Sequence, residues 1–262
     1  MALQSSATPG LDSAAARRAA YLQIMRRHAR PGRGSSLELL QSRGGVSMPD
    51  LNSLLPGVRY VVVGGTATSL YMAPRTTKDV DILVSAADAP SVEDTLRRAG
   101  ATLVGPLNIN NPLEIEGNSW RLLDGTDLDV LRSAQPWVEE VLAQPNRDPA
   151  GLPVISLPYL VLMKLASGRG VDMGDLSRML GGADDKALAE VRRVVRKHLP
   201  DAVDDVESLT ELGRWELQST PSRSSTPTPS QPSAPTSDEV IVHEHQRRGK
   251  PVREHTRRRP RR

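Results

Sequence analysis

Two short segments of the chain each carry a pair of aspartates in an Asp-x-Asp spacing. Asp79 and Asp81 begin one otherwise apolar segment, and Asp127 and Asp129 are set in the same way in another. Side chains alternate across a β-strand, so each pair points to one face of its strand. Neighbouring carboxylates repel one another, and a divalent cation offsets that repulsion. If the two strands are neighbours, three or four carboxylates converge, as a two-metal phosphoryl-transfer or nucleotidyl-transfer site requires. For either pair alone, solvated acids at a strand edge are the alternative.

A diglycine lies upstream of the first aspartate pair. Gly64 and Gly65 follow the β-branched run 58–63 and precede a short stretch of helical character. Glycines at such a turn allow close backbone approach, and the helix that follows can present N–H groups to an anion. No Lys-Ser/Thr follows as in a P-loop, and the spacing is not G-x-G-x-x-G, which disfavours a dinucleotide fold. Taken alone, the diglycine is also compatible with a plain turn.

These residues together resemble a known superfamily. Gly64 and Gly65, followed after thirteen residues by Asp79-x-Asp81, resemble the hG[G/S]…D-x-D signature of the DNA polymerase β-like nucleotidyltransferases. The sequence from 62 to 84 is similar to the form seen in AbiEii-type toxins and related minimal nucleotidyltransferases. The resemblance covers roughly residues 50–180.

The resemblance implies a magnesium site and a nucleotide substrate. Asp79 and Asp81 would bind two Mg²⁺ ions, and a third carboxylate would come from a later strand. Asp129 matches that third position best, and Asp127 is the alternative. The reaction implied is transfer of an NMP from an NTP to an acceptor hydroxyl.

Further residues are implied to contact the NTP. Gly64, Gly65 and Thr66 would hold its β- and γ-phosphates, and Lys164 would add positive charge. Arg75, in the loop before the first aspartate pair, is expected either to be solvated or to contact a phosphate or the acceptor.

Lys164 is also unusual without the resemblance. The chain has 5 Lys against 29 Arg, and Lys164 lies within a strongly apolar helical segment. An unpaired charge there would be costly, so the side chain either extends to solvent or reaches an anionic partner. The toxins follow this Lys with an Arg/Asp-rich motif. Arg169, Asp172 and Asp175 follow here, although two residues separate Arg169 from Asp172, and the acids could simply favour the first turn of a helix.

The resemblance also suggests an acceptor and partners. The acceptor would be RNA, in particular tRNA, and an antitoxin protein would restrain the activity. Transfer to a protein side chain or to a small molecule such as an aminoglycoside is an open alternative. A non-catalytic nucleic-acid-associated module and a glycosyltransferase that uses Asp-x-Asp are further alternatives.

The elements that must position these residues alternate in the first half and become helical in the second. The pattern predicts an α+β fold with a small mixed β-sheet core, a helical C-terminal portion and disordered basic termini, and the resemblance implies that this core is a nucleotidyltransferase core. Strands are expected over 58–63, 79–84, 101–104, 120–123 and 126–131. Helices are expected over 12–30, 91–99, 137–143, 157–167, 172–180, 185–198 and 202–212.

Charge divides the chain into the domains that we expect. Residues 1–48, a partly helical extension, carry a net charge of +5, and residues 219–262 carry +6. Residues 49–218, between them, carry a net charge of −8. We expect two domains there, the α/β core, 49–135, and the helical portion, 136–218. Residues 219–237 are almost all Ser, Thr and Pro, which predicts a disordered linker. The repetitive basic tail beyond it is either solvated or an electrostatic contact for RNA or DNA.

Composition excludes several classes of protein. The chain has no cysteine, which rules out a disulfide scaffold, a zinc-thiolate site and a Cys nucleophile. Its apolar runs are far shorter than the roughly 20 residues of a membrane span, and the N-terminus shows no secretory signal. We therefore expect a soluble, cytoplasmic protein with no membrane partner.

Overall fold

The structure is a computed structural model of the 262-residue chain. It describes residues 13–28, 48–73, 77, 79–107, 109 and 111–218, together with short strands between 239 and 258. The chain divides into two compact units, residues 1–220 and 221–262, and each is described by itself.

A seven-stranded mixed sheet forms the core of the first unit. Its order is β3-β4-β5-β2-β1-β7-β6. The pairs β2–β5 and β1–β7 are parallel, and the other neighbours are antiparallel. A turn at Gly125, with φ of +86°, connects β4 to β5, as the Asp-Gly dipeptide predicts. The strands are β1 (Tyr60–Val62), β2 (Asp79–Ser85), β3 (Thr102–Pro106), β4 (Glu116–Arg121), β5 (Asp127–Ser133), β6 (Asn146–Arg147) and β7 (Pro153–Val154).

Nine α-helices lie within the described part of this unit. They are α1 (Ala14–His28), α2 (Leu51–Leu54), α3 (Gly64–Thr68), α4 (Ala89–Arg98), α5 (Pro136–Ala143), α6 (Leu157–Ser167), α7 (Gly170–Gly182), α8 (Asp185–His198) and α9 (Val203–Leu217). The mixed sheet followed by α5–α9 confirms the predicted α+β fold class. The short strands β6 and β7 were not predicted, because two-residue strands carry no periodic pattern. None of the described helices combines the length and apolarity needed to cross a membrane.

The helices of the second half pack closely where they meet. α7 crosses α9 at two glycines, Gly181 and Gly213. A Cβ added at Gly213 would overlap the carbonyl oxygen of Ser177 in α7. The absence of side chains at the crossing therefore lets the two helix backbones approach each other.

The N-terminal helix α1 packs against helices of the second half of the chain, namely α6, α7 and α9. Arg18 is almost fully buried and forms ion pairs of 2.6 Å with Asp205 and 2.8 Å with Asp201, while Leu22 joins the apolar core. Sequence pattern could not predict this packing, because both partners of Arg18 lie more than 180 positions away.

The second unit contains two antiparallel strand pairs. β8 (Glu239–Val242) pairs with β11 (His255–Arg258), and β9 (His245–Arg247) with β10 (Lys250–Val252). No strands were predicted from the sequence in this segment. The β-branched residues of β8 favour an extended strand, which a reading based on charge and composition overlooked. The predicted Ser/Thr/Pro-rich linker, 219–237, and most of the basic segment 1–48 lie outside the described residues.

Candidate active site

The two aspartate pairs lie side by side on parallel strands. In the register of β2 and β5, Asp79 is opposite Asp127 and Asp81 is opposite Asp129. The alternating apolar residues of both strands are buried, so the aspartates share the other face of the sheet. The predicted convergence of the two pairs is confirmed.

Three of the four aspartates form a compact cluster, which we term the acidic trio: Asp79, Asp81 and Asp129. Each offers a carboxylate oxygen, and these oxygens lie within 4.8 Å of one another. All three residues are half-buried. Carboxylate oxygens are the ligands that Mg²⁺ prefers, so the donor set fits the predicted metal.

The fourth aspartate has a different partner. Asp127 pairs with Arg121, which lies opposite it on the neighbouring strand β4. A second bond, from Nη2 of Arg121 to Oδ2 of Asp127, is 3.1 Å long. Asp129 instead lies opposite Ser119 of β4, a residue that acts to lower the pKa of its carboxyl, and among the described residues it forms no ion pair with an arginine or a lysine. Of the two alternatives for the third carboxylate, the geometry therefore favours Asp129.

The trio has a surplus of negative charge. Burial, followed by repulsion from Asp79 and Asp129, raises the pKa of Asp81 to about 7, against smaller opposing effects of Arg169 and the Gly65 N–H. Burial also raises the pKa of Asp129, although Ser119 acts in the opposite direction. A bound divalent cation would offset this repulsion and favour the ionised carboxylates.

The diglycine is in direct contact with the trio. Gly64 has φ of +61°, and a Cβ at this position would overlap the carboxylate of Asp81. The backbone N–H of Gly65 favours the ionised form of Asp81 and so opposes the rise of its pKa. Thr66 is half-buried in α3, directly after the glycines. The strand-to-helix turn thus leaves room for Asp81 and favours its charged form.

Lys164 is buried between two carboxylates of the next helix. Its Nζ lies 2.7 Å from Oδ1 of Asp172 and 2.8 Å from Oδ2 of Asp175. Of the two alternatives given for Lys164, solvent or an anionic partner, the structure shows the anionic partner, and α7 supplies it. Lys164 also lines the cavity beside the trio, so its predicted contact with a phosphate stays a prediction.

Arg169 is the site residue that the sequence reasoning underestimated. Its Nε bonds to Oδ2 of Asp172 at 2.8 Å. Burial lowers the pKa of the guanidinium, but Asp172, Asp81 and Asp79 together raise it above its ordinary value. Arg169 therefore interacts electrostatically both with Asp172, a partner of Lys164, and with Asp79 and Asp81 of the trio. Contiguity with Asp172 is not needed, because residues three apart are neighbours on a helix.

A cavity of about 540 Å³ opens beside the trio. One part of its wall is charged and includes Asp81, Asp129 and Arg169. Another part is aliphatic, with side chains from the sheet, from α6 and from the segment before β4: Leu107, Ile109, Ile115, Leu131, Leu160 and Met163. The predicted ligand residue Arg75 lies outside the described residues, so its role stays a prediction.

Comparison with known proteins finds solved structures of low similarity. No family model and no curated protein matches the chain. A Thermotoga maritima protein assigned as a nucleotidyltransferase is 16% identical over 56% of this chain and 84% of its own, with a TM-score of 0.30. ANT(2″)-Ia, solved with adenylyl-2″-tobramycin, is 15% identical over 60% and 87%, with a TM-score of 0.31. Terminal uridylyl transferase 4 from Trypanosoma brucei, with bound GTP, is 12% identical over 78% and 70%, with a TM-score of 0.24. At these identities and TM-scores, no conclusion about fold or function rests on the likeness.

Proposed function

We propose that the protein is a Mg²⁺-dependent nucleotidyltransferase. An acceptor hydroxyl would attack the α-phosphorus of an NTP, a new O–P bond would form, and the bond to pyrophosphate would break. The observation that carries the proposal is the acidic trio, three half-buried carboxylates within 4.8 Å on one sheet face.

Asp79, Asp81 and Asp129 would hold the metal, as two Mg²⁺ ions. When bound, Mg²⁺ stabilises the negative charge that develops on the phosphoryl oxygens. Burial, followed by repulsion from Asp79 and Asp129, raises the pKa of Asp81, and a bound cation would relieve that repulsion.

Other residues of the chain would bind substrate and move a proton. Asp129, which lines the cavity beside the trio, would accept the proton of the attacking hydroxyl. Gly64, Gly65 and Thr66 would hold the β- and γ-phosphates. Lys164 would add positive charge behind them, and Arg75 would contact a phosphate or the acceptor.

We further propose RNA, and tRNA in particular, as the acceptor, with a toxin role in the cytoplasm and a restraining antitoxin. The support is the resemblance to AbiEii-type toxins and the positive charge of both chain ends, which suits a polyanion. A protein or small-molecule acceptor is the alternative, as is a non-catalytic nucleic-acid module.

Transfer of label from the four [α-³²P]NTPs tests these proposals together. The full-length protein is incubated with Mg²⁺ and total RNA, protein or small-molecule acceptors, and with EDTA as the metal-free control. We expect Mg²⁺-dependent label in the RNA fraction. Label in another fraction would identify that fraction as the acceptor in place of RNA. No transfer to any acceptor would reject the proposed enzymatic activity.

Matched variants then test the trio. Asp79→Asn, Asp81→Asn and Asp129→Asn should each abolish transfer while the fold is kept. Asp127→Asn is the control, because Asp127 lies on the same strand and the same face as Asp129 but pairs with Arg121. Activity retained by Asp129→Asn and lost by Asp127→Asn would assign the third carboxylate to Asp127.

A further inference from the structure

One face of α1 leads from the cavity beside the trio to exposed apolar side chains. Arg17 lines the cavity, and Tyr21 and Ile24 follow it on the same face of the helix, at spacings of four and three residues. Both Tyr21 and Ile24 are exposed. Because an α-helix rises 1.5 Å per residue, this face extends about 10 Å from Arg17 to Ile24. It therefore connects the candidate active site with solvent.

The ring of Tyr21 lies against the first residue of α7. A Cβ added at Gly170 would lie 2.7 Å from Cε1 of Tyr21, so the missing side chain of this glycine lets the ring approach. On either side of Gly170 are Arg169, which lines the cavity and is mostly exposed, and Val171, which is also exposed. We term Tyr21, Ile24, Arg169 and Val171 the α1–α7 rim.

Contacts elsewhere on α1 hold the rim in place. Arg18 is almost fully buried and donates a 3.0 Å hydrogen bond to the carbonyl oxygen of Leu165. A Cβ at Gly168 would lie 3.0 Å from the carbonyl oxygen of Ala14, so the helix backbone is close to the end of α6. The position of Tyr21 at the cavity mouth is therefore fixed before any ligand binds, which lowers the cost of binding.

The chemistry of the rim suits a single-stranded nucleic acid. Exposed aromatic rings stack on nucleobases, and neighbouring arginines attract the phosphates or stack on bases themselves. α1 contains four arginines and no acidic residue, and Arg26 and Arg27 are exposed in its last turn. A polyanion that presents a hydroxyl group to the trio would have its adjacent nucleotides at the mouth of the cavity, which is where the rim lies.

We propose that the α1–α7 rim binds unpaired nucleotides of the RNA acceptor, with one base stacked on Tyr21. This inference rests on the proposed nucleotidyl transfer to RNA, and it assigns the surface that holds the nucleotides next to the reacting hydroxyl. A protein acceptor and a second copy of the chain are the other occupants, and the test distinguishes them.

The test measures the fluorescence anisotropy of a labelled single-stranded RNA oligonucleotide titrated with the full-length protein. The variants are Tyr21→Ala, Tyr21→Leu and Tyr21→Phe, with Trp215→Ala as the matched control. Trp215 is 37% exposed, against 36% for Tyr21, but it lies on α9 and is not among the residues that line the cavity.

We expect Tyr21→Ala and Tyr21→Leu to weaken RNA binding by about tenfold, as for the loss of stacking on one base. Leucine keeps an apolar contact with Gly170 but has no aromatic face, so a loss common to both variants is a loss of the ring. Tyr21→Phe and Trp215→Ala should match wild type. The dependence of affinity on salt should be the same in all variants, because the ring carries no charge.

Unchanged RNA affinity of Tyr21→Ala and Tyr21→Leu overturns the inference, as does a wild type that binds no RNA. Weaker binding by Tyr21→Ala alone, with a lowered melting temperature, also overturns it, because Tyr21 would then only hold α1 in place. Sedimentation without RNA tests the second copy, and a dimer that Tyr21→Ala dissociates contradicts the inference.

Label transfer separates the remaining outcomes. Transfer to protein that Tyr21→Ala abolishes, with no transfer to RNA, would assign the rim to a protein acceptor and overturn the inference. Failure of the proposed function is distinguishable, because wild type would then transfer label to no acceptor. The inference fails alone when wild type labels RNA but the Tyr21 variants bind RNA as wild type does.

Discussion

The carboxylate of Asp81 occupies the space in which a Cβ of residue 64 would lie. Glycine is therefore required at position 64 for two reasons. Its backbone has a left-handed φ of +61°, and it has no side chain that would overlap Asp81. Any side chain at this position must displace Asp81, and with it the trio.

Gly64→Ala should accordingly lose transfer activity and stability together. Gly57→Ala is the control, because Gly57 has φ of +75° but nothing within 4 Å of an added Cβ. The left-handed conformation alone costs about 1–2 kcal/mol with a Cβ. Overlap with Asp81 should add about 1–3 kcal/mol. Urea unfolding and label transfer measure both effects. Equal losses of stability in the two variants would show that Asp81 moves aside freely.

The raised pKa of Asp81 predicts how stability depends on pH in the absence of metal. The ordinary value is 3.8 and the folded value is about 7. Between them the folded protein retains a proton that the unfolded chain has released, so the free energy of unfolding should fall as pH rises from about 4 to about 7. The total change is at most about 4 kcal/mol.

Urea unfolding in EDTA, at a series of pH values, measures this slope. Asp81→Asn should flatten it, whereas Asp94→Asn, an exposed aspartate of α4, should keep it. Saturating Mg²⁺ should oppose the fall, because a cation that binds the folded state stabilises it. Parallel curves for wild type and Asp81→Asn would contradict the assignment.

Local sequence pattern predicted the elements that carry the site. The strand expected over 79–84 is Asp79–Ser85, and the helix expected over 157–167 is Leu157–Ser167. Period-two alternation also predicted that Asp79 and Asp81 share a face. These features are set by neighbours in sequence, so a single chain reveals them.

Contacts between distant elements were beyond such reasoning. The charge of Lys164 in an apolar helix suggested an anionic partner, but helical periodicity does not say which side chains of α7 lie opposite it. The choice of Asp129 over Asp127 depends on Arg121, which is opposite Asp127 only once β4 and β5 have paired. Arg17 of α1 lines the cavity and bonds to the carbonyl oxygen of Ser167, which lies 150 positions away in the sequence.

The buried position of Lys164 predicts a large loss of stability on its removal. Lys164→Met would leave the carboxylates of Asp172 and Asp175 without their shared cation, which typically costs about 3–5 kcal/mol. Lys197→Met is the control, because Lys197 is half-exposed in its pair with Glu140 and should lose less than about 1 kcal/mol.

Urea unfolding should precede any activity assay of Lys164→Met. Lost transfer at unchanged stability would favour a direct phosphate contact, whereas lost transfer with lost stability would favour a positioning role. Equal stability of the two lysine variants would contradict the buried ion pairs of Lys164 with Asp172 and Asp175.

The glycine crossing of α7 and α9 predicts opposite effects of the same substitution at two sites. Gly213→Ala brings a methyl group into the carbonyl of Ser177, so the helices must separate, and we expect a loss of about 1–3 kcal/mol or more. Gly174→Ala lies within α7, where the nearest atom to the new Cβ is 3.8 Å away. There alanine should stabilise the helix by up to about 1 kcal/mol. Thermal unfolding of the two variants checks the sign, and a stabilised Gly213→Ala would mean that α7 and α9 do not cross at this glycine.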